Sequence, residues 1–436
     1  MGNFAVVGGG ILGMTIALRL SQLNHQVTIY ESEDSLGGLA GSVRMNGCTW
    51  DRFYHVILMS DTATLSLIKE LGLENELKWV ETKTGFYVGG RLYSMSNSLE
   101  FLKFPPLSLY GKFRLGLTIL YASKIKNWER LEKIPVSKWL RFWSGKETFE
   151  KIWSPLLRAK LGDMYTQTSA AFIWATIQRM YAARRSGLKK EMFGYVEGGY
   201  ARVLDKFTEK LIQNHVSINC NSRIVQIETE DMGKIRITTE RNYQKTFDKV
   251  VLTIPSSEIS RICPSLEEQE HKKLKSINYM GVICPHVLLS RPISPYYVTN
   301  ITDSWVPFTG VIEMTALIDK KETNGKSLIY LPMYVNQTHT FWDLNEEQIK
   351  KQTLDSLFKM YPFLKPDEVE YTGICKAPFV FGLPDLNYSQ KLIPAKTSVK
   401  GIYIINSSFI MNGTSNVNET LQLVDKNLQT VTQNEK

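Results

Sequence analysis

The sequence predicts an α/β fold that begins with a βαβ unit, because strand-like, glycine-rich and helix-like segments follow each other in a fixed order. An apolar run covers residues 3–7, and the glycine-rich segment Gly8–Gly13 comes directly after it. Residues 14–20 have the composition of a helix, and residues 27–31 form a second apolar run that ends in an acid. Strand, Gly-x-Gly-x-x-Gly, helix, strand and carboxylate is the order of a Rossmann-like dinucleotide-binding unit.

Each position of the glycine pattern has its own physical task. Gly8 permits the tight turn after the strand, Gly10 lets the backbone approach a pyrophosphate, and Gly13 lets helix and strand pack closely. Ile11 and Leu12 then lie at the helix N-terminus, where unpaired N–H groups and the helix dipole favour an anion. We therefore predict that all five of these residues contact the cofactor.

The acid at the end of the second strand predicts a ribose contact. Glu31 follows Gly13 by eighteen residues, close to the offset of about 20 expected for a carboxylate that binds a ribose hydroxyl. Ser32 is predicted to belong to the same contact. A glycine-rich turn that arose by chance is the alternative, and the complete strand–helix–strand context disfavours it.

A second glycine-rich turn, Ser35–Ser42, follows the acid directly. With this turn the chain resembles the flavoprotein superfamily of amine oxidases, protoporphyrinogen oxidases, phytoene desaturases and UDP-galactopyranose mutases. The resemblance implies that Gly37, Gly38, Leu39 and Ala40 continue a site for non-covalently bound FAD. Many members have Arg or Asn at the position of Leu39, so one polar contact of the family is absent. Ordinary NAD dehydrogenases do not need this second turn, and FAD is therefore favoured over NAD.

The rest of the chain predicts two lobes that are interleaved along the sequence. Asn46-Gly47 and Gly89-Gly90 indicate two-residue hairpins, and a segment of long helices rich in Trp, Leu, Lys and Arg follows. The resemblance implies an FAD-binding, Rossmann-like lobe of the glutathione-reductase type and an α+β substrate lobe that includes a helical subdomain. The FAD-binding lobe would comprise residues 1–75, 194–255 and 395–436, and the substrate lobe residues 76–193 and 256–394, with the helical subdomain at about 101–187.

His55 is the candidate residue for acid–base chemistry. The resemblance places the flavin between the lobes, where the cofactor supplies the hydride chemistry, so no catalytic triad is expected. Family members often carry a histidine or an aromatic residue after the first hairpin, close to the flavin face. Because histidine exchanges a proton near neutral pH, His55 would move a proton. The alternative is a buried, hydrogen-bonded histidine that only shapes the pocket.

A strand followed by a helix ends the sequence, and the resemblance implies that the N-terminus of this helix faces the flavin. Its N–H groups would stabilise negative charge at the N1–C2 carbonyl side of the flavin, and an ordinary helix cap is the alternative. The strand that begins at Ile224 matches the one whose backbone meets the adenine. The residues of these segments that we predict to contact FAD are Ile224, Asn406, Gly413, Thr414, Asn416 and Val417.

The helical segment carries many cationic residues. Among them, Arg158 and Arg179 are predicted to bind a phosphate or diphosphate group of the substrate, for which arginine is geometrically suited. A solvated basic face is the alternative. The apolar stretch 101–107, together with Tyr110 and residues 115–121, would either face a membrane or form an edge of the core. No cluster of His, Cys and carboxylate residues indicates a metal site.

Composition narrows the classes of partner. The chain has 436 residues and a net charge of +9, which fits either ordinary solubility or attraction to an anionic substrate or an acidic membrane surface. No nucleic-acid recognition motif accompanies this charge. The five cysteines form no Cys-x-x-Cys pair, so neither a disulfide framework nor a redox dithiol is indicated.

Function and location follow as expectations. The first strand begins so early that we expect no signal peptide, and we predict a cytoplasmic protein, with membrane association as the alternative. The resemblance implies an oxidoreductase of the amine oxidase and protoporphyrinogen oxidase type that transfers hydride from a small organic substrate to FAD. Two alternatives are a redox-neutral enzyme like UDP-galactopyranose mutase, acting on a nucleotide sugar or lipid-linked sugar, and a non-catalytic FAD-bearing scaffold. The sequence does not define an oligomeric state.

Overall fold

The structure, a computed structural model, describes residues 1–185, 192–411 and 415–433. Helices and strands alternate in the first and last parts of the described chain, whereas helices dominate its second hundred residues. The α-helices of the described residues are α1 Ile11–Gln22, α2 Thr62–Glu70, α3 Ser98–Lys103, α4 Leu109–Lys124, α5 Val136–Thr148, α6 Ser154–Leu161, α7 Ala170–Arg185, α8 Gly199–Gln213, α9 Ser256–Ile262, α10 Glu268–Lys275, α11 Glu346–Met360 and α12 Val417–Thr432.

The strands of the described residues form two larger sheets, one three-stranded sheet and two strand pairs. In chain order they are β1 Asn3–Val7, β2 Gln26–Tyr30, β3 Ser42–Met45, β4 Cys48–Asp51, β5 Leu77–Glu81, β6 Thr84–Val88, β7 Arg91–Ser94, β8 Met192–Val196, β9 Ser217–Asn219, β10 Ile224–Thr229, β11 Ile235–Thr239, β12 Gln244–Phe247, β13 Lys249–Leu252, β14 Tyr279–Leu289, β15 Val298–Ile301, β16 Gly310–Glu313, β17 Ser327–Tyr330, β18 Met333–Asn336, β19 Val369–Gly382 and β20 Ile402–Ile404.

A five-stranded sheet positions the glycine-rich turns. Its order is β20-β13-β1-β2-β9, and every neighbouring pair is parallel. Apolar side chains of α1, α8 and α12 cover one face of the sheet, and the three-stranded sheet β10–β12 contributes to the core on the other face. Because both faces are buried, β1 and β13 are almost continuously apolar, as parallel strands usually are. The predicted Rossmann-like α/β unit is confirmed.

The second large sheet has eight strands and mixed direction. Its path is β18-β14-β17-β16-β15-β6-β7, and β19 pairs with β14. All eleven residues of β14 are buried, because this strand pairs with three others and packs against helices. The five-stranded sheet takes its strands from three separated stretches of sequence, and the eight-stranded sheet takes its strands from two others.

One apolar run of the sequence contains two strands. Residues 328–335 are apolar almost throughout, but the structure divides them into β17 and β18. Pro332 lies at the break, and a proline cannot donate a ladder hydrogen bond. Both predicted hairpins are present, with β3 pairing to β4 and β6 pairing to β7 around their glycine turns. Over the described residues, no helix has the length and apolarity required to cross a membrane.

Candidate functional site

The N-terminus of α1 is shaped to receive an anion. Gly10 is its N-cap, no side chain caps the first turn, and a Cβ built on Gly10 would meet no atom within 4 Å. Gly13 is the opposite case, since a Cβ there would lie 1.9 Å from the carbonyl oxygen of Gly8. Ile11 and Leu12 occupy the first turn with buried side chains, so their backbone N–H groups are the parts that a phosphate can reach.

Glu31 holds the glycine-rich turn in place. Its Oε2 accepts a hydrogen bond of 2.7 Å from the Gly9 N–H, and its Oε1 accepts one of 2.9 Å from the Glu33 N–H. The Ser32 hydroxyl also donates to Oε1, at 3.1 Å. The sequence indicated a ribose contact for this carboxylate but not its role in anchoring the turn. Oε1 already accepts two hydrogen bonds and Oε2 accepts one, so a ribose hydroxyl can still donate to Oε2.

The second glycine-rich turn lies directly against the first. The Gly37 N–H donates to the Gly9 carbonyl at 2.8 Å, and a Cβ on Gly38 would lie 3.2 Å from the Cα of Gly10. Both residues have positive φ, 121° for Gly37 and 56° for Gly38, which favours glycine. Leu39 is exposed and Ala40 is buried beside this turn. The two turns thus form one backbone surface, which fits the pyrophosphate of a dinucleotide.

A cavity opens at the end of β2, where the adenosine half of a dinucleotide would extend. Its volume is about 440 Å³, and Ser32 lines it together with Asn219, residues 221–223 and part of the β11–β12 hairpin. Ile224 begins the next strand, but its side chain is buried in the core with Ile227 and Phe247. Any contact of Ile224 with adenine is therefore expected through its backbone.

The cofactor contacts predicted in the C-terminal segment lie in different environments. Asn416 is the N-cap of α12, which begins at Val417, and its Oδ1 accepts a 3.0 Å hydrogen bond from the Glu419 N–H. The predicted contacts Gly413 and Thr414 lie outside the described residues. Asn406 is fully buried at the end of β20.

The amide nitrogen and the oxygen of the Asn406 side chain both form hydrogen bonds within the protein. Its amide group donates to the Ile254 carbonyl at 2.8 Å and to the Ser256 hydroxyl at 3.2 Å. Its Oδ1 accepts from the Ser408 N–H at 3.0 Å and from the Ser408 hydroxyl at 2.6 Å. These bonds fasten the end of β20 to the segment after β13, so only the backbone of Asn406 remains for the predicted cofactor contact.

His55 lies after the first hairpin, beside the start of α8. Its Nδ1 is 3.6 Å from Oδ2 of Asp51 and makes no hydrogen bond within the described residues, and its ring lies 4.9 Å from the Tyr200 ring. The other oxygen of Asp51 accepts a 2.8 Å hydrogen bond from the Tyr200 N–H. Gly199 has a φ of +68°, and a Cβ there would lie 2.8 Å from that oxygen. The Asp51 carboxylate therefore lies between His55 and the first turn of α8.

A second polar group near His55 was not predicted from the sequence. The hydroxyl groups of Tyr54 and Tyr334 lie 2.9 Å apart, and the ammonium of Lys160 sits 3.5 Å from the centroid of the Tyr334 ring. Burial raises the pKa of Tyr54 to about 12 and lowers the pKa of Lys160 to about 7. No salt bridge reaches Lys160 from the described residues. Tyr54, Tyr334 and Lys160 are named here the tyrosine–lysine group.

The two predicted substrate-binding arginines have different environments. Arg158 is exposed on α6, with its guanidinium 5.8 Å from the ring centroid of Tyr165. Arg179 on α7 is half-buried and forms a 3.0 Å salt bridge with Asp61, just before α2. The Arg179 charge is thus already compensated by a carboxylate. Across the described ranges, no three His, Cys, Asp or Glu side chains are close enough together to hold a metal ion.

Fold and site together define a class. A parallel sheet, an uncapped glycine-rich helix start and a carboxylate at the end of the second strand form a dinucleotide-binding flavoprotein fold. The chain belongs to the family of flavin containing amine oxidoreductases, whose model matches residues 13–379. Members of this family contain flavin, and the two glycine-rich turns with Glu31 are the residues of this chain that fit FAD.

Similar proteins include members with different activities. The chain is 26% identical over 261 residues to a zeta-carotene desaturase from Synechocystis sp., covering 54% of this chain and 52% of that protein. It is 21% identical over 319 residues to protoporphyrinogen oxidase 2 of Arabidopsis thaliana, covering 63% and 62%. The match to the desaturase thus spans about half the length of that curated relative. A structure of reduced UDP-galactopyranose mutase superposes with a TM-score of 0.75 at 14% identity, covering 99% of this chain and 97% of that one.

Proposed function

We propose that this flavoprotein removes a hydride from a small organic substrate bound between the five-stranded and the eight-stranded sheet. The observation that carries the proposal is the tyrosine–lysine group, whose Tyr54 directly precedes His55 in the chain. Tyr54 and His55 follow the first hairpin, whereas Tyr334 belongs to the eight-stranded sheet and Lys160 to the helical segment. Polar groups of the segment after the first hairpin, of the eight-stranded sheet and of the helical segment thus come into contact.

The residues of this region suit substrate binding and proton transfer, while FAD, when bound, accepts the hydride. The Asp51 carboxylate lies on the Nδ1 side of His55, so a negative charge faces the ring that we propose as the proton-transfer group. Lys160 would bind an anionic group of the substrate, because its ammonium has no carboxylate partner within the described residues. An anion there would supply the missing counter-charge in a partly desolvated position.

Replacing His55 tests the proton-transfer role. His55→Ala is expected to slow reduction of the bound flavin by about 10²–10⁴-fold, the usual contribution of a positioned acid–base group. FAD content should stay unchanged, because the ring is not part of the glycine-rich turns. Anaerobic stopped-flow absorbance with amines, porphyrinogens and polyprenyl compounds measures the rate, and His339→Ala, at an exposed histidine, is the matched control. Reduction at the wild-type rate would mean that His55 only shapes the pocket.

Replacing Lys160 gives an expected pH dependence of stability. In the unfolded chain the lysine keeps its proton up to about pH 10.5, whereas in the folded protein it loses the proton above about pH 7. Between these values unfolding takes up a proton, so the Lys160 contribution to the free energy of unfolding rises with pH. We expect this rise to be missing in Lys160→Met. Urea unfolding of both proteins across the window measures it, with the exposed Lys138→Met as control. Parallel pH profiles for wild type and Lys160→Met would contradict the assignment.

A redox-neutral mutase remains the second proposal, supported by the overall similarity to UDP-galactopyranose mutase and by the histidine at position 55. Such an enzyme would bind UDP-sugars and turn over only after reduction with dithionite, with no net change in flavin redox state. Arg158 and Arg179 are the residues proposed to contact the diphosphate, although Arg179 would first have to leave Asp61. If Arg158→Ala and Arg179→Ala bind a UDP-sugar as the wild type does, these arginines have no role in that binding.

A further inference from the structure

Exposed apolar side chains are concentrated in one part of the helical segment. Nine of the nineteen large apolar residues that are exposed among the described residues lie between Leu99 and Phe142. Six of them belong to α4, and they are Leu109, Tyr110, Phe113, Leu117, Leu120 and Tyr121. With Leu99, Leu102 and Phe142 they form what we name the exposed apolar face. Single exposed apolar residues are normal in soluble proteins, but a contiguous set marks an interaction surface.

Helix α4 is apolar on both of its sides. Gly111, Leu115, Thr118 and Ala122 face the core, and they recur at helical spacing. The exposed residues recur at the same spacing on the opposite side, where a surface helix normally carries charged and polar residues. Leu109 is 77% exposed and Phe113 is 63% exposed. The outer side of α4 thus exposes a contiguous set of apolar side chains to solvent.

Neighbouring helices extend this face and hold it rigidly. The Lys112 ammonium is buried and donates a 2.7 Å hydrogen bond to the Leu102 carbonyl at the end of α3. The Arg114 guanidinium donates to the Phe142 and Trp143 carbonyls of α5. The Tyr121 and Trp143 rings stack with their centroids 3.9 Å apart. Tyr and Trp are the side chains enriched where apolar and aqueous phases meet.

The net charge of this region indicates which kind of surface would cover the exposed apolar face. Residues 98–150 contain ten Lys and Arg and five Glu, which gives a net charge of +5 out of +9 for the whole chain. Lys103 ends α3, Lys124 ends α4 and Arg141 precedes Phe142, and all three are exposed. Two copies of the chain meeting at this face would bring like charges together, whereas anionic lipid headgroups would neutralise them.

We infer that the exposed apolar face docks this protein on the surface of an anionic lipid bilayer. Helix α4 lies along the interface, with its outer apolar side chains among the acyl chains and the flanking cations at headgroup level, as in other interfacial amphipathic elements. Attachment is peripheral and reversible, since it uses a preformed surface of the folded protein. This inference is independent of which substrate the flavin site accepts.

Vesicle co-sedimentation of the FAD-loaded protein tests the inference. The wild type is expected to bind vesicles of phosphatidylcholine with phosphatidylglycerol, and to bind phosphatidylcholine alone more weakly. Leu109→Ser with Phe113→Ser should lower partitioning at least about tenfold, because neither variant side chain gains from burial among the acyl chains. Lys103→Glu with Lys124→Glu should remove the preference for the anionic lipid. Leu23→Ser with Phe363→Ser, two exposed apolar residues elsewhere in the chain, is the matched control and should bind as the wild type does.

FAD content and circular dichroism show whether each variant is folded. Equal partitioning of the Leu109/Phe113 variant and the wild type would overturn the inference, and so would an equal loss in the Leu23/Phe363 control. Size-exclusion chromatography tests the alternative that a second copy of the chain covers the exposed apolar face. A wild type that forms dimers, fails to bind vesicles and becomes monomeric in the Leu109/Phe113 variant would show that the face is an interface between two copies.

Discussion

Gly13→Ala is expected to give a protein whose nucleotide-binding sheet is strongly destabilised and which is purified without FAD. The added Cβ would lie 1.9 Å from the Gly8 carbonyl oxygen, far inside van der Waals contact. The Gly8 backbone cannot move away easily, because its N–H donates to the Tyr30 carbonyl at 2.8 Å and its oxygen accepts from the Thr253 hydroxyl at 3.2 Å. The clash should cost about 3 kcal/mol of folding free energy. Thermal unfolding and the absorbance of bound flavin measure the two effects.

Gly10→Ala is the matched control, because it separates folding from cofactor binding. A Cβ on Gly10 meets no protein atom within 4 Å, and the backbone angles of φ −69° and ψ 175° suit alanine. The apoprotein should therefore unfold at the wild-type temperature. FAD binding should nevertheless be weakened, because the methyl group fills the space that the pyrophosphate needs. Tight FAD binding by Gly10→Ala would contradict the placement of the pyrophosphate at this turn.

Glu31→Ala is expected to destabilise the apoprotein as well as to weaken FAD binding. The substitution leaves the Gly9 and Glu33 N–H groups without their acceptor. Glu31 is only 8% exposed in the wild type, so the site is largely closed to solvent. Each unmade bond costs about 1–3 kcal/mol, and loss of the ribose contact should weaken FAD binding by a similar amount. Urea unfolding of the apoprotein and titration with FAD measure the two effects separately.

Glu31→Gln is the control for this substitution. Its side-chain oxygen can still accept one of the two backbone hydrogen bonds, so its apoprotein should lie between the wild type and Glu31→Ala in stability. If the Glu31→Ala apoprotein unfolds at the wild-type urea concentration, the carboxylate does not hold the glycine-rich turn and acts on the cofactor alone.

The parts of the site that lie close together in sequence were predictable. The turn at 8–13, the acid at 31 and the turn at 37–38 are adjacent in the chain, and their backbone requirements restrict the residue types. The tyrosine–lysine group was not predictable, because its members come from three elements and resemble ordinary core residues in sequence. The Arg179–Asp61 salt bridge joins residues 118 positions apart. No local pattern reveals that this arginine already has a partner.

Helix α4 shows why periodicity left two alternatives open for the apolar stretch. A helix with one apolar side has a clear period, whereas one that is apolar on both sides shows hydrophobic residues at nearly every position. Phe104 and Leu115 are buried and belong to the core, whereas Leu102 and Leu117 are exposed. Only tertiary packing separates the two sets.

The pairing of β1 with β13 has a consequence for biosynthesis. Phe4 of β1 lies opposite Lys249 of β13, so one edge of the first strand has no partner until almost 250 residues have been made. At about 5–20 residues per second this takes on the order of 12–50 s. During that time a short, strongly apolar strand edge stays open beside the growing chain, and such edges recruit other strands. We therefore expect a newly made chain to be most prone to aggregation before its nucleotide-binding sheet is complete.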